Sequence, residues 1–380
     1  MTFLANLTFG FPKIHAEPGE KRAFLPEFVG NIAKQGGQVL LAEGYGGPMG
    51  FSEEAYRRVG AGNVNFVNLE QVLQQEYILV LRCPNEEIIR RIKHGACLIS
   101  MLHYPTRPRR VELLLEMGLQ AVSLDSIKDD TGRRLVENLK AVGWNGMEVA
   151  IQVLAEHYPQ FEDPQRGPLR VTLMGAGAVG VHVMQSATRY ANEALRKRLY
   201  HDGVPGVMVR TIDYDLTGHA EIMRTILSET DILVDATQRP DPSKPVIKND
   251  WLRHLPEHAV LLDLSVDPYN CDLEPVLVKG IEGIPQGNLD QYIFSPDDPA
   301  YERIPPCVDS TVRRWAVSCY SWPGIYPVEC MQLYGRQLRP IINRIIDAGG
   351  ISSISPAGRY FERAIARATL SNWLAGLGHQ

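Results

Sequence analysis

The sequence predicts an α/β chain folded as two Rossmann-like, doubly wound domains, each around a mainly parallel sheet. Three observations carry this expectation. Short apolar runs alternate with segments of helical periodicity, the signature of βα units. A glycine-rich turn, Gly175-Ala176-Gly177-Ala178-Val179-Gly180, lies between an apolar run and a helical segment. Finally, 380 residues exceed what one hydrophobic core usually serves, and 44% hydrophobic residues supply enough apolar surface for two.

Taken in order, the first region has expected strands at 7–11, 39–42, 78–81, 97–101 and 121–123. Helices are expected at 26–35, 52–59, 85–94 and 108–117. Ser52 with Glu54, and Asp125 followed by Ser126, suit cap positions, because a short oxygen-bearing side chain can accept from the free N–H groups of a helix start. A longer helix is expected over 131–157, and Pro164-Gln165-Arg166-Gly167-Pro168 then breaks the pattern, so a hinge is placed at 145–165. The second region repeats the alternation, with strands at 170–174, 208–213, 232–235 and 260–264. Beyond Pro327 the chain reads as helical over 331–348 and 361–377, returning to complete the first domain or to cover an interface.

The charge balance excludes some partners. With 39 basic and 44 acidic residues the net charge is −5, which gives no long-range attraction for nucleic acid. The stretch 171–188 is free of formal charge but is interrupted by Gly175, Gly177 and Gly180, so no membrane span is expected. The start of the chain has no basic segment followed by an apolar stretch, as a secretory signal would. Six cysteines form no C-x-x-C pair and no zinc-ligand spacing with histidine, so the expectation is reduced thiols, no metal and a cytoplasmic setting.

The 175–180 turn carries the sharpest chemical signal. In a dinucleotide fold the first glycine permits the tight turn, the second lets the pyrophosphate approach the backbone, and the third lets helix and strand pack closely. The helix start then offers N–H groups to phosphates. A tight βα turn without a ligand is the plainer reading. The fold also calls for an acid on the adenosine ribose about 20 residues on. Asp213 ends the next strand but lies 38 positions after Gly175, which implies an enlarged helix and loop. Asp215 is its rival, and either could be a simple turn residue. An acid here repels a 2′-phosphate and favours NAD over NADP. Ala236 and Thr237 follow the third strand of this region and Ser265, Val266 and Asp267 follow the fourth, where cofactors sit in open α/β sheets.

In the first region, Arg22 precedes an apolar run, Arg82 ends a strand and His103 follows another. Singly, these are ordinary solvated or packed side chains. Together, two guanidiniums can clamp a carboxylate, and a histidine titrating near neutrality can exchange a proton with an amine or imine.

In its order of segments the chain resembles the alanine dehydrogenase and nicotinamide nucleotide transhydrogenase family, up to about residue 350. The matching stretches are Phe11-Pro12-Lys13 through Glu20-Lys21-Arg22, Gly50-Phe51-Ser52-Glu53-Glu54-Ala55-Tyr56 with Gly60-Ala61, Leu102-His103, the 175–180 turn, 260–267, and Trp322-Pro323-Gly324 with Pro327. The resemblance implies a discontinuous substrate domain (1–145 with 325–380), a central NAD domain (146–324) and a cleft between them. It implies that Arg22 binds the substrate carboxylate, with Arg82 nearby, and that His103 and Asp267 are catalytic. The implied reaction is hydride transfer from an amino-acid Cα to NAD, giving a 2-oxo acid and ammonia. Alanine and pyruvate are the expected pair, in a homo-oligomer such as a hexamer. Relatives that condense a 2-oxo acid with an amino acid, and transhydrogenase-like NAD(H)-binding subunits, are the alternatives. The chain departs from the family at Arg82, where alanine dehydrogenases carry lysine, and at Pro268 and Ser321. Arginine stays protonated, so Arg82 can orient a substrate but cannot shuttle a proton.

Overall fold

A computed structural model describes residues 7–14 and 17–377. The chain divides into two compact units, Met1–Asn138 with Tyr326–Gln380, and Leu139–Ile325.

In the first unit, β1 (Thr8–Phe11), β2 (Gln38–Ala42), β3 (Val64–Val67), β4 (Tyr77–Arg82), β5 (Cys97–Met101) and β6 (Gln120–Ser123) form one parallel sheet in the order β3-β2-β1-β4-β5-β6. Strand order reverses between β1 and β4, so the loops leaving their carboxyl ends border a crevice, the usual ligand position in open sheets. Strand β3 escaped the sequence reading because it is an edge strand, only partly buried and interrupted by Asn65, and so lacks a continuous apolar run. From the C-terminal part of the chain, helix Pro327–Asp347 completes this core by placing Met331, Leu338, Ile342 and Ile345 in one cluster with Phe9, Phe11 and Ile99.

In the second unit, β7 (Leu169–Met174), β8 (Val207–Ile212), β9 (Ile232–Asp235), β10 (Val260–Asp263), β11 (Ile293–Phe294) and β12 (Trp315–Ser318) are ordered β11-β12-β10-β9-β7-β8. All pairs are parallel except β11 with β12. Neither β11 nor β12 was expected from the sequence, and the β9–β10 connection holds a 3-10 stretch, Asn249–His254, instead of an α-helix. Three prolines within 240–245 prevent a longer helix from starting there.

Several expectations are corrected. The helix placed at 131–157 begins at Leu139, because Gly132 takes φ 84° in a turn where Asp129 accepts from Thr131 and Arg133. That helix buries Met147, Ala150 and Leu154 in the second core, so the division between units falls before it and not at 145–165. The helix expected at 85–94 shortens to Glu86–Ile89. The six cysteines are not all free thiols: Cys271 and Cys307 are joined as a disulfide, with Cα atoms 6.4 Å apart. Among the described residues no helix is long and apolar enough to cross a membrane.

Candidate active site

At the carboxyl edge of the first sheet, His103 follows β5 in a left-handed conformation, φ 52°. Such a backbone strains a residue with a Cβ, and here Asp125, leaving β6, holds it. Asp125 Oδ1 accepts from the His103 backbone N–H at 3.1 Å and from Ser123 at 2.7 Å, and Oδ2 lies 3.4 Å from His103 Nδ1. The imidazole itself is 46% exposed, so its other nitrogen is open to a reactant. Burial pushes the Asp125 carboxyl up, but its hydrogen bonds and the His103 charge prevail and hold it well below the usual carboxylate range.

Arg22 is nearly fully buried. Its Nε donates to Glu20 Oε1 at 2.9 Å, its Nη2 to Glu20 Oε2 at 2.5 Å, and its Nη1 approaches Cys330 Sγ at 4.0 Å. The adjoining cavity, lined by Lys13, Lys21, Arg22 and Tyr45, holds about 20 Å³, the room of one water. Arg82, at the end of β4, is clamped on Glu17 at 2.5 and 2.7 Å.

In the second unit the 175–180 turn has the geometry that a dinucleotide requires. A Cβ on Gly175 (φ 93°) would lie 2.7 Å from the Ala236 carbonyl oxygen, and one on Gly180 would lie 2.4 Å from that of Gly175. Gly177 is different: nothing lies within 4 Å of its Cβ position, which leaves an open approach to the start of helix Ala178–Ala187. No side chain caps that start, so the N–H groups around Gly177, Ala178 and Val179 are left for an anion. Asp213 follows β8 directly, exposed, with one oxygen accepting from the Tyr214 N–H. It lines a cavity of about 290 Å³ together with Gly175, Tyr214 and Thr237. Asp215 is exposed and does not line it.

The loops after β9 and β10 are locked by buried carboxylates. Asp235 accepts from the Thr237 N–H and hydroxyl at 3.0 and 2.7 Å and from Ser265 Oγ at 2.9 Å. Asp263 receives Lys279 Nζ at 2.7 Å, Ser318 Oγ at 2.9 Å and the Val266 N–H at 2.9 Å, and Val266 is left-handed, φ 59°. Asp267 then lies 2.8 Å from Arg239 Nη2, which also donates to the Val278 carbonyl. Ala236 follows β9 directly, its N–H donating to the Met174 carbonyl.

Asp125, Glu20, Arg239, Asp263 and Lys279 were missed as site residues by sequence reading. The sequence suits Asp125 to a cap. Its position at a strand's carboxyl end, one strand from His103, was the available signal. Nothing local marks Arg239 or Lys279, because their partners are 28 and 16 residues away.

Residues 12–141 match the model of the alanine dehydrogenase/PNT N-terminal domain. Over 285 residues the chain is 22% identical to an alanine dehydrogenase of Bacillus subtilis, covering 69% of this chain and 71% of that one. It is 21% identical over 267 residues to the Mycolicibacterium smegmatis alanine dehydrogenase, with 66% and 70% covered. Among solved structures, an L-alanine dehydrogenase superposes with TM-score 0.69 at 16% identity, covering 96% of this chain and 94% of that one. A transhydrogenase from Sinorhizobium meliloti gives 0.60 at 15%, covering 90% and 94%. Residues 12–141 thus match the alanine dehydrogenase/PNT N-terminal domain, and the chain as a whole is similar to alanine dehydrogenases in sequence and shares the fold of the L-alanine dehydrogenase and transhydrogenase structures.

Proposed function

We propose that this protein is an NAD-dependent amino-acid dehydrogenase that deaminates its substrate reversibly to a 2-oxo acid and ammonia, with alanine the first substrate to test. The observation that carries the reading is the His103–Asp125 pair, 3.4 Å apart at the carboxyl edge of the first sheet. A unit that only bound a dinucleotide would have no use for an oriented, exposed imidazole.

NAD, which the 175–180 turn and Asp213 would hold, would supply the acceptor for the hydride that leaves the substrate Cα as the amine is oxidised to an imine. The 175–180 turn fits the pyrophosphate, since its open face and uncapped helix start offer N–H donors while its other glycines let backbone pack on backbone. Asp213 has an oxygen to spare for ribose hydroxyls, which favours NAD over NADP. His103, its Nδ1 turned to Asp125, takes a proton from the water that attacks the imine carbon and returns one to the departing amine. Asp267, held 2.8 Å from Arg239, stabilises positive charge that develops near the reacting carbon. Arg22 meets the substrate carboxylate through the N–H groups that Glu20 leaves over. For this the 20 Å³ cavity has to widen.

The test is to follow NADH absorbance with the purified protein, pyruvate and ammonia, and to titrate NADH and NADPH by fluorescence. Ammonia-dependent oxidation of NADH with a 2-oxo acid is the expected result. NADH binding without turnover on any 2-oxo acid would sink the dehydrogenase reading.

A further inference from the structure

Three arginines gather round the Met101–His103 turn. Arg82 on β4 pairs in register with Met101 on β5. Arg110 donates from Nη1 to the Leu102 carbonyl at 2.8 Å. Arg107, one turn of chain beyond His103, donates to the Thr106 carbonyl at 3.0 Å, and the Thr106 N–H in turn bonds the His103 carbonyl. Of the three, Arg82 has a carboxylate, Glu17. Asp125, the acid nearest the turn, is taken by His103. Arg107 and Arg110 meet only backbone carbonyls among the described residues, and helix Pro108–Glu116 has no acidic residue in its first turn. Burial, with the like charges of Arg110 and Arg82, pulls the Arg107 guanidinium below its usual range. Like charges brought together without a counter-charge are unfavourable, and an arriving anion relieves that cost.

We infer that Arg107 and Arg110 form a second anion subsite beside His103, distinct from the α-carboxylate site at Arg22, and that the substrate carries a second carboxylate. This deepens the dehydrogenase reading and rests on it for the chemistry at Cα. The second carboxylate can come from two sources: a dicarboxylic 2-oxo acid aminated by ammonia, or an amino acid that replaces ammonia as the amine. Both put an anion about one side-chain length from the reacting carbon, where a planar guanidinium can take it through two N–H groups.

Kinetics and binding together test the subsite. Initial rates of NADH oxidation are compared for pyruvate with ammonia, oxaloacetate or 2-oxoglutarate with ammonia, and pyruvate with glutamate. One of the two dicarboxylic arms is expected to exceed pyruvate with ammonia by about tenfold or more in kcat/KM, the scale of one charge-assisted contact. Whichever arm is preferred identifies the source. In Arg107→Gln and Arg110→Gln this preference should fall about tenfold through KM, and Arg107→Lys should restore part of it. Succinate and acetate titrated by calorimetry into the NADH complex give a readout free of turnover. Succinate should bind more tightly than acetate, and Arg107→Gln should remove the difference. The inference is overturned by equal binding of the two acids, by pyruvate with ammonia as the best arm, or by an unchanged preference in the variants. A protein that binds succinate selectively at Arg107 but turns over no 2-oxo acid would keep the subsite and lose the dehydrogenase reading.

Discussion

Asp235 and Asp263 end neighbouring strands, both fully buried, and only Asp263 has a cation. Burial would raise Asp263, but Lys279 and three hydrogen bonds bring it below the usual range, while Asp235, buried beside that charge, is pushed up to about 6. Between pH 4 and 6 the folded chain therefore keeps a proton on Asp235 that the unfolded chain has released, so this residue's contribution to stability is present at low pH and lost as pH rises through about 6. Asp235→Asn keeps an oxygen for Thr237 and removes the titration. The unfolding free energy of wild type, from denaturant titrations, should fall relative to the variant by about 1–3 kcal/mol between pH 4 and 7; parallel curves would refute the assignment. Asp125 has the opposite sign: its lowered carboxyl contributes above about pH 4 and is lost on acidification. Asp125→Asn should reduce kcat by about tenfold or more and move the pH profile of kcat/KM, because the imidazole loses its orienting charge. Asp267→Asn should abolish turnover and leave NADH binding largely intact, since the backbone of the 263–267 loop is held by Asp263 and not by the Asp267 carboxylate. Retained turnover would remove Asp267 from the chemistry.

Strand ends and glycine turns are the elements that convert these residues into sites, and the turn at 175–180 is the easiest to perturb cleanly. Gly180→Ala would press a methyl to 2.4 Å from the Gly175 carbonyl oxygen, which is backbone and cannot swing aside. The cost should be about 1–3 kcal/mol of overpacking, with NADH affinity reduced at least as much as stability, since the turn itself must move. Gly177→Ala is the control on the ligand side. Nothing in the protein meets its methyl, so stability should stay within about 0.5 kcal/mol of wild type while NADH binding weakens by about tenfold or more. Equal NADH affinity in Gly177→Ala would mean that the turn is not a pyrophosphate cradle. The sequence made this turn legible because all its requirements are local: a strand before, a helix after and three glycines between. His103 was legible for the same reason, as a polar residue at the end of the apolar β5. Asp125, Arg239 and Lys279 were not, because their meaning depends on which strand lies beside which, and strand order is decided by tertiary packing. The edge strands β3 and β11 were illegible for a related reason: half-exposed strands do not write apolar runs.

The two units differ in how they are threaded, and this difference decides what each can do alone. Leu139–Ile325 is one continuous stretch with its own sheet and its own apolar clusters, so nothing outside it is needed to close its core. The other unit is discontinuous. From the far end of the chain, helix Pro327–Asp347 contributes Met331, Leu338, Ile341, Ile342, Ile345 and Ile346, each at most 1% exposed, to the cluster built on Phe9, Phe11 and Leu41. At about 2 kcal/mol for each buried side chain these six supply roughly 12 kcal/mol, as much as the entire net stability of an ordinary domain, about 5–15 kcal/mol. Residues 1–138 alone should therefore fail to fold, exposing the face of the sheet that the helix covers. Residues 139–325 alone should give a cooperative thermal transition and bind NADH through the 175–180 turn, with no turnover because His103 is absent. Circular dichroism and NADH fluorescence on the two fragments provide the measurement. A folded 1–138 fragment would mean that the helix covers a core already stable without it. An unfolded 139–325 fragment would mean that the cofactor unit draws its stability from outside its own clusters.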